Sequence, residues 1–164
     1  MPKTIVGVMG TGDQATPQEI ETAYELGQQI AQAGWIVLSG GRNVGVMDAV
    51  SRGAKSGGGM TIGILPHIDS EMSAAIDIPI ITDMGNARNN INVLSSDAIV
   101  ACGIGAGTVS EIALAIKAKK HVILLTENLE AQRFLRSLNS ELVSIAQSVE
   151  DALNQLKVML TTQE

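Results

Sequence analysis

Short, unbroken apolar runs recur along this chain, and their recurrence constrains the fold more than any other feature. TIVGVM (4–9), WIVLS (35–39), MTIGIL (60–65), IPIIT (78–82), AIVAC (98–102) and HVILLT (121–126) are rich in β-branched residues and too short for buried helices. They do not alternate apolar with polar. A strand that is apolar on both sides is buried on both faces, which is the property of a parallel sheet covered by helices. LVSIA (142–146) adds a shorter seventh strand.

Helical patterns fill the intervals. Thr16-Pro17-Gln18-Glu19 combines an N-cap, a first-turn proline and a capping-box glutamate. Ile20, Ala23, Gly27 and Ile30 then follow at helical spacing, and Gly34 closes the helix. Thr108-Val109-Ser110-Glu111 predicts a second capped start, with Val109, Ile112, Ala113 and Ile116 toward the sheet. Ser148-Val149-Glu150-Asp151 opens the last helix, whose stripe is Val149, Ala152, Leu153, Leu156, Met159 and Leu160. No repeat, charge block or linker interrupts this order. The expected fold class is α/β: a single doubly wound, mostly parallel sheet of six to seven strands with helices on both faces, Rossmann-like, forming one ligand-binding domain over residues 1–164.

Composition narrows the function. With 45% apolar and 17% charged residues, the chain can build a buried core and is not disordered. Its three aromatics, Trp35, Tyr24 and Phe134, and its net charge of -6 argue against a nucleic-acid surface, which needs stacking rings and positive charge. Cys102 is the only cysteine, so disulfides, zinc knuckles and CxxC pairs are excluded. No run approaches the roughly 18–20 apolar residues of a membrane span, and the first apolar run is too short for a secretory signal. These readings predict a cytoplasmic protein without membrane contact. The low charge predicts a homo-oligomer, dimer or tetramer, in which a second copy covers apolar surface.

Glycines gather where the strands end. Gly10-Thr11-Gly12 follows the first, Gly40-Gly41-Arg42-Asn43-Val44-Gly45 the second, and Gly103-Ile104-Gly105-Ala106-Gly107-Thr108 the fifth. In an open α/β sheet ligands bind beyond the carboxyl ends of the strands. Glycine there admits backbone N–H groups to the ligand, and each loop presents a helix N-terminus, so an anion such as phosphate is the expected guest. Gly10 to Ala15 matches a G-x-G-x-x-A fingerprint, yet the second strand ends in Ser39-Gly40-Gly41, without the acid that holds an NAD ribose. No Walker lysine follows any glycine loop.

Arg42 and Arg88 supply forked donors for an anion, and neither has an acid in its immediate segment. Asn86, Asn89, Asn90 and Asn92 surround Arg88 with amides able to read a heteroaromatic edge. Glu111 admits two readings, as the capping-box partner of Thr108 or as a contact to a ligand or water. Cys102, His67 and His121 read as structural or surface residues.

The motifs GGRNVGVMDA (40–49), ARN (87–89) and GIGAGTVSE (103–111) resemble the LOG-like, Rossmann-related superfamily, once labelled lysine decarboxylases. No lysine lies where a pyridoxal Schiff base could form. The superfamily's cytokinin-activating phosphoribohydrolases carry P-G-G-x-G-T-x-x-E. By that motif Arg88 and Glu111 fall on the catalytic arginine and glutamate, and Gly105, Gly107 and Thr108 on the phosphate loop. Gly103-Ile104 replaces Pro-Gly, and Asn89 replaces the family's lysine. The stretch RNNINVLSSDAIVACGIGAGTVSEIALAIKAKKHVILL is more similar to the molybdenum cofactor carrier proteins of algae and cyanobacteria.

That resemblance implies a homo-oligomeric protein that binds, protects and carries the cofactor without turnover. The cofactor is a pyranopterin phosphate whose dithiolene holds the metal, so no metal ligand comes from the chain. The implied site comprises Gly10, Thr11, Gly12, Gly40, Gly41, Arg42, Asn43, Gly45, Met47, Arg88, Asn90, Gly103, Gly105, Ala106, Gly107, Thr108 and Glu111. Catalytic residues are expected to be none. A phosphoribohydrolase using Arg88 and Glu111, or a nucleotide-sensing module, are the alternatives. Transient contact with molybdoenzymes or cofactor-biosynthesis proteins is the implied traffic.

Overall fold

The structure, a computed structural model, describes residues 2–161. Its elements run β1 (Ile5–Gly10), α1 (Pro17–Gln32), β2 (Ile36–Ser39), α2 (Gly45–Ser56), β3 (Thr61–Leu65), β4 (Ile78–Ile81), a 3₁₀ turn (Gly85–Arg88), α3 (Asn89–Leu94), β5 (Ala98–Cys102), α4 (Ala106–Lys117), β6 (Val122–Leu125), α5 (Leu129–Leu138), β7 (Val143–Ile145) and α6 (Val149–Thr161). All seven expected strands form. They make one parallel sheet in the order β4-β3-β2-β1-β5-β6-β7. The chain winds outward from β1 to β4, then returns to the other flank of β1, so strand order reverses between β1 and β5. That reversal opens the crevice in which such sheets bind ligands.

Successive residues of a strand point to opposite faces, and each face has its own core. Val6, Val8, Val37, Val100 and Ile123 pack beneath α1, α2 and α6. Met9, Leu38, Ile99, Ala101 and Leu124 pack beneath α3, α4 and α5. The α1 cap forms as expected: Thr16 Oγ1 accepts from the Glu19 N–H at 3.2 Å, and Glu19 Oε2 accepts from the Thr16 N–H at 2.9 Å. Ser148 Oγ likewise accepts from the Asp151 N–H at the start of α6.

Two expectations are corrected. IPIIT is not a fully buried strand: all four residues of β4 are exposed, because β4 is a sheet edge. Pro79 is tolerated there, where an N–H need not be donated to a neighbour. A continuous apolar run cannot by itself distinguish an edge strand from a central one. The second correction concerns α4. Its N-cap is Gly105, with no side-chain cap, and Thr108 and Glu111 do not form a capping box. The buried face is Thr108, Glu111, Ile112 and Ala115, while Ala113 is exposed. The predicted stripe assumed that polar residues turn outward, and here two of them turn in.

Candidate functional site

Three glycine loops interlock at the β1/β5 switch. Gly10 stands in register with Cys102, and a Cβ on it would strike the Cys102 carbonyl oxygen and the Val46 side chain. The Thr11 carbonyl accepts from the Val46 N–H at 2.9 Å, tying the first loop to the start of α2. Gly45 lies against the carbonyl oxygens of Thr11 and Gly12. Gly103 has φ +76, and a side chain on it would meet the Glu19 carboxylate and Thr11 Oγ1. Only glycine satisfies both the left-handed backbone and that contact. Thr11 Oγ1 in turn donates to Glu19 Oε2 at 2.7 Å, so the capping glutamate of α1 also anchors the loop. Ala106 and Gly107 lie exposed in the first turn of α4, beside its N-cap Gly105.

The second loop is braced from outside the expected site. The Gly41 carbonyl accepts from the Ser73 N–H at 3.0 Å, and the exposed Asn43 donates its N–H to the Glu71 carbonyl at 2.9 Å. Half-buried Arg42 bridges antiparallel to Met72.

Arg88 closes the 3₁₀ turn and is only 8% exposed. A Cβ on Gly40 would lie 3.1 Å from Arg88 Nη2, 3.2 Å from Nη1 and 2.6 Å from Met47 Sδ. The end of β2 thus lacks a side chain where the guanidinium lies across it. Arg88 Nη1 makes one long hydrogen bond, 3.4 Å to Asn89 Oδ1, and Nε has no partner. Burial holds the guanidinium pKa below its usual value. Glu111 opposes that shift, and Arg42 reinforces it.

Glu111 is the counterpart. It is 7% exposed, and its one side-chain hydrogen bond is from Asn92 Nδ2 to Oε1, at 2.8 Å. Burial pushes its carboxyl up to about 7, against the lowering pull of the Asn92 amide and the Arg88 charge. Asn92 Oδ1 and Thr108 Oγ1 are buried without partners. Interiors rarely leave polar atoms unmatched, and here three of them belong to residues gathered on α3, α4 and the turn before α3. The cluster can offer a guanidinium to an anion and exchange a proton near neutrality.

Sequence reasoning placed Arg88, Thr108 and Glu111 in the site and counted Asn92 only among the amides around Arg88, not in the implied site. Its signal was spacing: Asn92 lies four residues after Arg88, as Glu111 lies three after Thr108, so each pair shares a helical face. Of the other asparagines, Asn89 donates to Ser110 Oγ at 2.9 Å. Asn86 and Asn90 are exposed and make no side-chain hydrogen bond. Cys102 is buried and its thiol is pushed up to about 12 by burial, as befits a small core residue. Exposed His67 faces Asp83 at 3.7 Å. Among the described residues no metal-binding group of His, Cys, Asp or Glu occurs, and no helix is long and apolar enough to cross a membrane.

Residues 3–153 match the SLOG cluster4 family. The fold is similar to the molybdenum cofactor binding protein of the phototrophic bacterium Rippkaea orientalis, at 54% identity and TM-score 0.95, covering 98% of this chain and 99% of that one. It is similar also to the molybdenum cofactor carrier protein of Chlamydomonas reinhardtii, at 50% identity and TM-score 0.94 over the same shares. A cytokinin riboside 5'-monophosphate phosphoribohydrolase of Mycobacterium tuberculosis is 35% identical over 96 residues, 57% of this chain and about half (51%) of that protein.

Proposed function

The chain belongs to the SLOG cluster4 family, and from that premise we propose that it binds and carries the molybdenum cofactor, releasing it unchanged. The observation that carries this reading is Arg88: a buried guanidinium laid over Gly40 at the carboxyl edge, with Nε unpartnered and only one long bond from Nη1. A cation buried with so few partners is costly unless an anion completes it. Similarity over 98% of the chain to two proteins named for this cofactor supports it as the anion.

The residues present fit the group. Arg88, with Arg42 beside it, would take its anionic charge, and the α2 and α4 N-termini at Gly45 and Ala106 would add backbone donors for phosphate. Asn92, Thr108 and Glu111 offer acceptors and a titratable donor to polar groups of the pterin, and exposed Asn90 could reach its rim. When bound, the group supplies a dithiolene-held molybdenum, so the chain's own task is to hold and shield it. In this reading residues 1–164 act as one cytoplasmic binding domain, assembled as a homo-oligomer that meets donor and acceptor enzymes transiently.

Anaerobic purification followed by metal analysis and detection of the oxidised pterin tests the proposal. Molybdenum and pterin in near-equal amounts, lost together in Arg88→Met, are expected. Failure of the protein to bind added cofactor at micromolar concentration overturns it.

One observation favours a second reading. Arg88 and the near-neutral Glu111 occupy one buried cluster, as an N-glycosidic hydrolase would require, and the mycobacterial relative is such an enzyme. Release of free base from adenosine monophosphate with multiple turnovers, abolished by Glu111→Gln, would establish it.

A further inference from the structure

The Arg88–Glu111 cluster has a property that neither a passive carrier nor a plain anion hole requires. Glu111 is buried, with one neutral amide as its hydrogen-bond partner, and no oxygen of it lies within ion-pair distance of Arg88. The two groups feel each other through space only. The charged surroundings of Glu111 are few. Arg88 acts on it from the 3₁₀ turn, and Arg42 acts on Arg88 from the β2 loop. The strands packed against α4, namely β1, β5 and β6, contain no ionisable residue apart from the buried Cys102 thiol, and α3 contains none. The ionised form of Glu111 therefore depends on the Arg88 charge and on Asn92.

We infer that the site binds its anion together with a proton: an anion seated on the Arg88 guanidinium is held with one proton, taken from solvent, on the Glu111 carboxyl, and raising the pH releases both. The inference rests on the reading of Arg88 as the anion contact. The coupling follows from charge. An anion on Arg88 cancels the positive field that supports the Glu111 carboxylate and adds negative charge beside it, so the carboxyl takes up a proton. Conversely, ionised Glu111 competes for Arg88 and repels the anion. The protonated carboxyl also gains a donor that can serve the ligand or its unmatched neighbours. Because burial pushes the Glu111 carboxyl up to about 7, the coupling falls in the physiological range. A carrier so built retains an anionic cargo in mildly acidic surroundings and yields it in alkaline ones.

Sulfate is the probe, since it stays doubly charged from about pH 6 to 9 and cannot itself supply the pH dependence. Calorimetric titration in two buffers of different ionisation enthalpy reads affinity and proton uptake together. For the wild-type protein, affinity should fall by up to about tenfold per pH unit above 7, with as much as one proton taken up per sulfate. Glu111→Gln should bind with a flat profile and no proton uptake, and Arg88→Met should not bind. Carboxyl ¹³C resonances of wild-type Glu111 should titrate at higher pH with sulfate than without, a readout independent of any variant's folding. A flat wild-type profile, an unchanged profile in Glu111→Gln, binding that survives Arg88→Met, or no sulfate binding at all overturns the inference. The carrier function fails separately. A protein that purifies with molybdenum and pterin yet binds sulfate without pH dependence keeps its cargo and loses this coupling. One that couples sulfate to a proton but never holds cofactor does the reverse.

Discussion

Helices α1 and α2 meet through Gly27 and Gly53, whereas α3 and α4, on the opposite face of the sheet, meet through Asn92 and Glu111. A Cβ on Gly27 would collide with the Val50 carbonyl oxygen of α2, and one on Gly53 with the Tyr24 carbonyl oxygen of α1. That pair is close-packed, backbone against backbone, above an apolar core. The α3–α4 pair, with the turn before it, buries a guanidinium, a carboxyl, an amide and a hydroxyl, and leaves three of their atoms unmatched. Each unmatched buried polar group costs about 1–3 kcal/mol. The first pair is therefore built for stability. The second holds the proposed binding cluster at stability's expense, as polar functional sites in folded proteins commonly do.

If that contrast is right, substitutions on the two faces should differ in sign. The largest effect is expected at Gly53→Leu, whose side chain cannot enter without moving the Tyr24 backbone. A loss of about 3 kcal/mol or more in urea unfolding is expected, and a loss below 1 kcal/mol would show that α1 and α2 can separate freely.

Next comes Glu111→Gln, which should stabilise the protein in a pH-dependent way. The folded-state pKa of about 7 lies above the ordinary 4.5. Below 4.5 both states are protonated and Glu111 costs nothing through ionisation. Between 4.5 and 7 the unfolded chain ionises first, so the native state loses stability as pH rises. Above 7 the penalty is complete, on the order of 3 kcal/mol. Unfolding curves of wild type and Glu111→Gln at acid and alkaline pH should therefore diverge only on the alkaline side. Parallel curves would mean that Glu111 is solvated.

Arg88→Met should abolish detectable anion binding, because the charge-assisted hydrogen bonds of the guanidinium are its principal contact. Below pH 7, where Glu111 is protonated and needs no counter-charge, the substitution should leave unfolding free energy equal or higher, because an apolar side chain of similar length replaces a poorly partnered charge. Marked destabilisation would mean instead that the guanidinium holds the α3 region together. The smallest effect is expected at Thr108→Val, which removes a buried, unpartnered hydroxyl without changing shape. A gain of about 1 kcal/mol in thermal or urea unfolding is expected, and a loss would reveal a bond to Thr108 Oγ1 in solution.

How legible these two faces were in the sequence follows from what each is made of. The α1 cap could be read because Thr16, Pro17 and Glu19 act on neighbours three residues away. The same local rule misled at Thr108 and Glu111, which have capping-box spacing but lie on the buried face of α4. What overrides the rule is Asn92, 19 residues before Glu111 in the chain and hydrogen-bonded to it in the fold. The amides around Arg88 marked the region of the buried polar cluster, but only placement of α3 against α4 selected Asn92 for the interior and left Asn90 at the surface. Glu19 was legible as a cap and not as the anchor of Thr11, because that contact joins a helix to the loop before it.

The chain's own pattern of short apolar runs and helical spacings determined seven strands, a parallel sheet and glycine loops at the strand ends, since these follow from periodicity and local chemistry. Strand order, the exposure of β4 and the burial of Arg88 beside Glu111 were decided by tertiary structure alone. They depend on which segments lie side by side, and burial, which sets both pKa values, belongs to no residue until its neighbours have closed around it.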